Sequence, residues 1–217
     1  MLGEIMKVDD VLAAARLSTA LLRPVEHADW NAKAGDLDWS CRRTLDHLVD
    51  TMLLYASAVA IRATDRAQWI PPRNGDAGAT ISELLATLES SAAILEMVFE
   101  ASPSPVRAFH PSGLSDADGF RAMACSEILT HTDDIAQGVN LDWRPPDTIC
   151  ERILQRVFPW APDSAECPDL WEAVRWSCGR TALPTRPRLD EQWWWHAAPI
   201  TEWNGTRNER TAPPAWS

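Results

Sequence analysis

The sequence predicts an all-α protein: a four-helix bundle followed by a short, tryptophan-rich C-terminal extension. Four segments before residue 142 repeat apolar residues at three- and four-residue spacing, which is typical of helices that bury one face. The loops between these segments have lengths that suit a bundle. Nine of the twelve tryptophans lie at or after Trp143, so the composition changes there. We therefore predict a bundle over residues 1–142 and an extension over residues 143–217 that packs on it.

The first helix is predicted from about Asp9 to Arg23, because Pro24 disfavours helical geometry in the residue before it. Its apolar stripe consists of Val8, Leu12, Ala15, Leu22 and Val25. The second helix begins after Ser40, a good N-cap, and runs to about Asp65. Its seam consists of Cys41, Leu45, Leu48, Met52, Tyr55 and Val59.

The third helix starts with a capping box, in which Thr80 caps and Glu83 reaches back, and runs to about Glu100. A proline-containing loop with a short extended piece follows. Asp116 or Asp118 then caps the fourth helix, and Gly138 is expected to end it as a C-cap.

The extension is predicted to contain two short helices, at about Asp147–Phe158 and Asp169–Cys178, with Gly179 stopping the second. Trp193-Trp194-Trp195 suits an extended segment whose rings alternate between bundle and solvent. This segment has two interpretations, which can hold together: a hydrophobic lid over a pocket, or packing alone.

Composition limits the functional classes. The formal net charge of -11 argues against nucleic acid or an anionic membrane as a partner. No apolar run approaches the ~18 residues that a membrane span needs. Five cysteines are widely spaced without a CxxC pair, which indicates reduced thiols and a cytoplasmic location. The expected partner is a small-molecule electrophile, and the expected assembly is a monomer or a homodimer.

The strongest chemical signal is in the fourth helix. Glu127 and His131 are four residues apart and Asp134 is three further on, so all three share one helix face. A carboxylate and an imidazole at this spacing can hold a metal ion, although the pair alone also fits a plain hydrogen-bonded i,i+4 contact. A catalytic zinc-type site needs three protein ligands and an open position, and His47 on the second helix is the candidate third ligand. Asp134 is a candidate to orient His131, or else it faces solvent.

These residues carry a resemblance. Asp38-Trp39-Ser40 with Thr44 and His47, together with the run Glu127–Ala136, resembles the DinB-like superfamily, and within it the mycothiol-dependent maleylpyruvate isomerase N-terminal domain group. The resemblance implies a bundle that holds a divalent metal, usually zinc. It implies His47, Glu127 and His131 as ligands, and mycothiol as a cosubstrate. It also implies a C-terminal domain larger than the 75 residues that follow Asp142 here.

Three further residues are weaker candidates for contacts with thiol or substrate. Arg42 and Arg121 are cations that suit a carboxylate of the thiol, and His110 lies in the loop that leads into the fourth helix. All three also fit ordinary structural or surface roles.

Cys125 is expected to be a small buried group on the opposite side of the helix, so the protein supplies no obvious nucleophile. The leading hypothesis is therefore a metal-dependent enzyme that activates a low-molecular-weight thiol for addition to an electrophilic small molecule, as an S-transferase or a cis-trans isomerase. A thiol-independent metal enzyme and a non-catalytic metal-binding bundle are the alternatives.

Overall fold

The computed structural model describes residues 5–65, 75–102 and 106–207 and confirms an all-α bundle with a tryptophan-rich C-terminal part. The first and second helices each pack against both the third and the fourth, in the manner of a four-helix bundle. A two-stranded antiparallel hairpin lies between the third and fourth helices. The elements are α1 Asp10–Leu22, α2 Cys41–Ala60, α3 Ile81–Ala101, β1 Ala108–His110, β2 Gly113–Ser115, α4 Ala117–Gly138, α5 Asp147–Val157 and α6 Leu170–Ser177.

Helix starts follow the predicted capping chemistry. The Ser40 hydroxyl accepts a hydrogen bond from the Arg43 backbone N–H at 3.2 Å. Thr80 and Glu83 form the complete capping box of α3. Asp116, rather than Asp118, caps α4 by accepting from the Gly119 backbone N–H at 2.9 Å. These starts were predictable because each is fixed by residues three apart in sequence.

One predicted helix end, that of α2, and one predicted position on a buried face, that of Val8, are wrong. Helix α2 ends at Ala60, five residues before the predicted end at Asp65. Val8 was placed on the buried stripe of α1, yet it is 52% exposed. Asp9 has a left-handed φ of 68°, so the helix begins only after it and Val8 does not share its face. The buried apolar residues of α1 are Val11, Ala14, Ala15 and Leu22.

Gly138 has a different role from the one predicted. It is the last residue of α4, and the left-handed conformation beyond the helix belongs to Asn140, with φ 59°. A Cβ at position 138 would overlap the Cys41 sulfur and the Lys33 carbonyl oxygen. The glycine therefore permits α4 to pack closely against the loop before α2 and the start of α2.

Helix α4 forms the centre of the molecule. Every residue from Asp118 to Ala136 is buried except Glu127, which is only partly covered. This explains why α4 shows no simple amphipathic stripe: α1 and α2 pack on it, and α5 covers another side. The single opening along this stretch is at a candidate metal ligand.

The C-terminal part packs on the bundle through buried charge as well as apolar contact. Arg152 of α5 makes two hydrogen bonds to the Asp10 carboxylate, at 2.8 and 2.6 Å. Arg156 is 1% exposed in its side chain and pairs with Asp116 at 2.6 Å and Asp118 at 2.9 Å. One core cluster includes residues of α2, α4, α5 and the tryptophan segment. A boundary between two domains near residue 142 stays a prediction.

The tryptophan segment follows the predicted alternation in part. Trp193 and Trp195 are buried and stack edge to face at 5.0 Å between centroids, whereas Trp194 is half-buried. Trp193 packs against Phe158, which supports a packing role. Within the described residues, no helix is long and apolar enough to cross a lipid bilayer.

Candidate metal centre

His47, Glu127 and His131 meet between α2 and α4. His47 lies two turns into α2, and the other two lie one turn apart on α4. The Glu127 Oε2 atom is 3.1 Å from the His131 Nε2 atom and 3.5 Å from the His47 Nε2 atom. The three candidate ligand atoms all lie within 4.8 Å of one another. The structure therefore brings together the three residues that sequence reasoning selected.

The geometry fits a tetrahedral cation. Two ligands bound about 2.0 to 2.1 Å from a tetrahedral ion are about 3.3 Å apart, which lies between the two measured separations. The Glu127 Oε2 atom is buried, and among the described residues it has no partner with hydrogen-bond geometry. The His131 and His47 Nε2 atoms lie close to this oxygen without the alignment of a well-formed hydrogen bond. A buried carboxylate oxygen in this state is costly unless a cation, either a metal ion or a protonated imidazole, lies beside it.

The donor set of two imidazoles and one carboxylate occurs in catalytic zinc sites and also in non-haem iron(II) sites. With neutral imidazoles the site would carry one positive charge after binding a dication. The side chains of the three residues are 10 to 15% exposed, so the centre is mostly buried and has limited contact with solvent. A tetrahedral ion held by three protein ligands has one coordination position left for an exchangeable ligand.

Without a cation the three groups form a coupled ionic cluster. Burial alone would raise the pKa of Glu127, but contacts with His131 and His47 outweigh it and hold this pKa well below its usual range. Burial likewise disfavours a protonated His131, yet the Asp134 and Glu127 carboxylates outweigh it and raise its pKa to about 9. A metal would therefore displace a proton from His131 at neutral pH.

Asp134 and Arg180 hold His131 from behind. The Asp134 Oδ2 atom accepts a hydrogen bond from His131 Nδ1 at 2.9 Å, which leaves Nε2 directed at the centre. Arg180, just after α6, donates to the same carboxylate from Nε at 3.0 Å and from Nη2 at 2.9 Å. Sequence reasoning named Asp134 through its helix spacing. It missed Arg180, because a contact across 46 residues leaves no local pattern.

His47 is enclosed on the other side by an aromatic and a hydroxyl group. The Trp39 ring lies 4.9 Å from the His47 ring, and the Arg43 guanidinium lies 4.9 Å above the Trp39 ring. The Thr51 hydroxyl is 3.4 Å from His47 Nε2. Trp39 was noted only as part of a motif, and its contact with His47 makes it a wall of the centre.

The two arginines proposed to contact thiol or substrate have other partners. Arg121 is 2% exposed and pairs with Glu96 and Glu100 of α3, each at 2.9 Å, so it ties α3 to α4. Arg42 donates to the Ala77 carbonyl oxygen at 3.1 Å, in the loop before α3. The structure gives both residues roles in joining elements, and the contacts it shows for them do not include the triad. Spacing alone could not separate these roles.

His110 is buried in the hairpin and contacts Tyr55, Ser112 and the tryptophan segment. Burial lowers its pKa to about 3, so it is neutral at physiological pH. It does not touch the three candidate ligands directly. Its buried place in the fold differs from that of His27, which is exposed and pairs with Glu26.

All five cysteines are free and buried, as predicted for Cys125. Burial raises the pKa of each thiol, and those of Cys150 and Cys178 reach about 12. A buried thiol of high pKa is a poor nucleophile at neutral pH.

Comparison with known proteins supports the architecture. No protein-family profile matches the chain, and no curated protein sequence matches it. A crystal structure of a mycothiol-dependent maleylpyruvate isomerase, carrying a histidine-to-alanine substitution, is similar over 84% of this chain and 97% of that chain. The TM-score is 0.50 and the sequence identity is 15%. The two chains share a fold.

The matched region takes in nearly the whole of that solved chain, and its extent in the present chain reaches beyond the four helices of the bundle. The larger C-terminal domain that the resemblance implies stays an expectation.

Proposed function

We propose that the protein is a metal-dependent enzyme that uses a low-molecular-weight thiol, mycothiol or one similar to it, to attack an electrophilic small molecule. The product would be an S-conjugate, or a cis-trans isomer if the thiol leaves again after bond rotation. The observation that carries this proposal is the convergence of the His47 and His131 Nε2 atoms on the Glu127 Oε2 atom, a buried carboxylate oxygen without a well-aligned hydrogen-bond donor among the described residues.

Each residue has a distinct part in this proposal. His47, Glu127 and His131 would hold the cation, and Asp134 would keep His131 in the tautomer whose Nε2 is free to coordinate. A divalent cation held there would act as a Lewis acid and lower the pKa of a thiol that occupies the open position. The low exposure of the three ligand side chains, 10 to 15%, would limit the access of water to the centre.

A thiol brought from solution is favoured over a protein nucleophile because all five cysteines are buried and have raised pKa values. The shared fold with an enzyme named as mycothiol-dependent also supports this choice. That protein is named an isomerase of maleylpyruvate.

Metal content tests the ligand assignment. We expect about one zinc per chain in protein purified without chelator, and far less in Glu127→Ala and His131→Ala. His27→Ala is the matched control, because His27 is exposed and pairs with its neighbour Glu26, so this variant should keep its metal. If the two site variants retain one metal per chain, the assignment is wrong.

Thiol binding tests the second half of the proposal. Calorimetric titration of the zinc-loaded protein with mycothiol should give saturable binding that the metal-free protein lacks. Metal without thiol binding would favour a thiol-independent enzyme, and a metal content near zero would favour a non-catalytic bundle.

A further inference from the structure

A row of polar residues extends along α2 from the candidate metal centre. His47, Thr51 and Tyr55 occur at four-residue intervals on α2 and therefore lie on one face. Helical side chains lean toward the N-terminus of their helix, so the Tyr55 phenol leans toward Thr51 and His47. The Cα atoms of Tyr55 and His47 are about 12 Å apart along the helix axis. Because the tyrosine side chain is long and leans toward His47, its hydroxyl lies closer to His47 than its Cα atom does.

His110 approaches Tyr55 from the hairpin with a defined tautomer. The backbone N–H of Ser112 donates to His110 Nδ1 at 3.1 Å, so Nδ1 must carry a lone pair. The imidazole is neutral, since burial lowers its pKa to about 3, and its proton is therefore on Nε2. The Nε2 atom lies 3.3 Å from the Tyr55 hydroxyl oxygen, so His110 donates and the tyrosine oxygen accepts.

This assignment leaves the Tyr55 hydroxyl hydrogen without an acceptor among the described residues. Tyr55 is 3% exposed, so bulk water does not supply one. Burial also raises the pKa of Tyr55 well above its usual value, so the phenol keeps its proton. A buried donor of this kind is costly unless something accepts its hydrogen.

The pair is held rigidly. The Phe120 ring packs edge to face on Tyr55 at 5.2 Å, and the Trp195 ring packs on His110 at 5.4 Å. The Ser112 hydroxyl also contacts His110 Nδ1 at 2.6 Å. His110 cannot rotate to accept the tyrosine hydrogen without losing both contacts to Ser112.

We propose that Tyr55 is a ligand-binding hydrogen-bond donor of the metal centre, and that His110 is the positioning residue that keeps the tyrosine hydrogen turned toward the ligand. This inference rests on the proposed function. It assigns a chemical requirement to the ligand: one end binds the cation through a thiol, and a carbonyl or carboxylate oxygen elsewhere on the molecule accepts from Tyr55.

The test compares two thiols of matched shape on cobalt-loaded protein, where thiol coordination is visible by absorption. Mercaptoacetone carries a carbonyl oxygen, and 2-methylpropane-1-thiol replaces that oxygen with a methyl group. Tyr55→Phe should weaken the binding of mercaptoacetone roughly two- to tenfold, the range expected for one neutral hydrogen bond, and leave the binding of 2-methylpropane-1-thiol unchanged. Ser57→Ala is the control, because Ser57 on the same helix only donates to the Leu53 carbonyl oxygen.

Two substitutions at His110 test the positioning role. His110→Gln places an amide N–H near the former Nε2 position and should retain the preference for mercaptoacetone. His110→Leu removes the donor and should reduce that preference toward the Tyr55→Phe value. Unchanged affinity for 2-methylpropane-1-thiol in each variant shows that its centre is intact.

The outcomes separate this inference from the proposed function. If neither thiol changes the cobalt spectrum of the wild-type protein, the proposed thiol site fails. If both thiols bind and Tyr55→Phe affects them equally or not at all, the proposed function stands and the tyrosine serves an internal water or packing only.

Discussion

Asp134 links a proposed metal ligand, His131, to Arg180 of the C-terminal part. It accepts from His131 and from Arg180, so it fixes the imidazole in one orientation. We expect Asp134→Asn to lower zinc affinity by about 10- to 100-fold, because an amide holds the histidine and its tautomer less well. Competition with a chelating dye measures this affinity.

Asp133 provides the matched control for that substitution. It is also buried and also pairs with an arginine, Arg175, at 3.2 Å, but it faces away from the centre. Asp133→Asn should reduce stability and leave zinc affinity within about twofold of wild type. Equal losses of affinity in both variants would show that Asp134 acts through general stability.

Among the residues of the candidate site, the sequence predicted those whose placement follows from the periodicity of a single helix. The i,i+4 spacing of Glu127 and His131 and the seven-residue step to Asp134 follow from the helix itself. Arg180 and the Tyr55–His110 contact depend on how distant segments pack, and one sequence does not contain that information. Arg121 was assigned to thiol or substrate for its charge, and its partners Glu96 and Glu100 lie a helix away.

At the scale of elements, the close approach between the end of α4 and the start of α2 depends on Gly138. We expect Gly138→Ala to destabilise the protein by about 1 to 3 kcal/mol, as overpacking does. Alanine gains about 1 kcal/mol of helix propensity over glycine, but it overlaps a backbone carbonyl that cannot move freely. Urea unfolding measures the difference.

Gly78→Ala is the control, because a Cβ there meets only the Asp76 side chain, at 3.3 Å. Its effect should stay within about 0.5 kcal/mol, as for most surface changes. A Gly138→Ala protein as stable as wild type would mean that α4 can shift away from the loop at little cost.

The elements also show why some predictions succeeded. The seam of α2 was correct because the helix is amphipathic, and its six predicted members are buried. The role of Gly138 was wrong because a terminal glycine fits both a left-handed cap and a close contact. Only the packing of Cys41 and Lys33 distinguishes the two.

For the whole molecule, metal binding should appear as added stability, because the proposed ligands join α2 to α4. At free zinc 100 times its Kd, the stabilisation is about 2.7 kcal/mol. A chain of this length should then melt about 5 to 10 °C higher with zinc than after chelator treatment. Differential scanning fluorimetry measures the shift, which His131→Ala should abolish and His27→Ala should preserve.

The enclosure of α4 has a consequence for how this protein can diverge. A helix covered on every side tolerates few replacements, and the one partly exposed position from 118 to 136 is Glu127. Selection for new chemistry would therefore act on residues outside α4, such as Trp39, whose ring packs on His47. Relatives that differ in substrate should keep the central helix nearly unchanged and vary most at such positions.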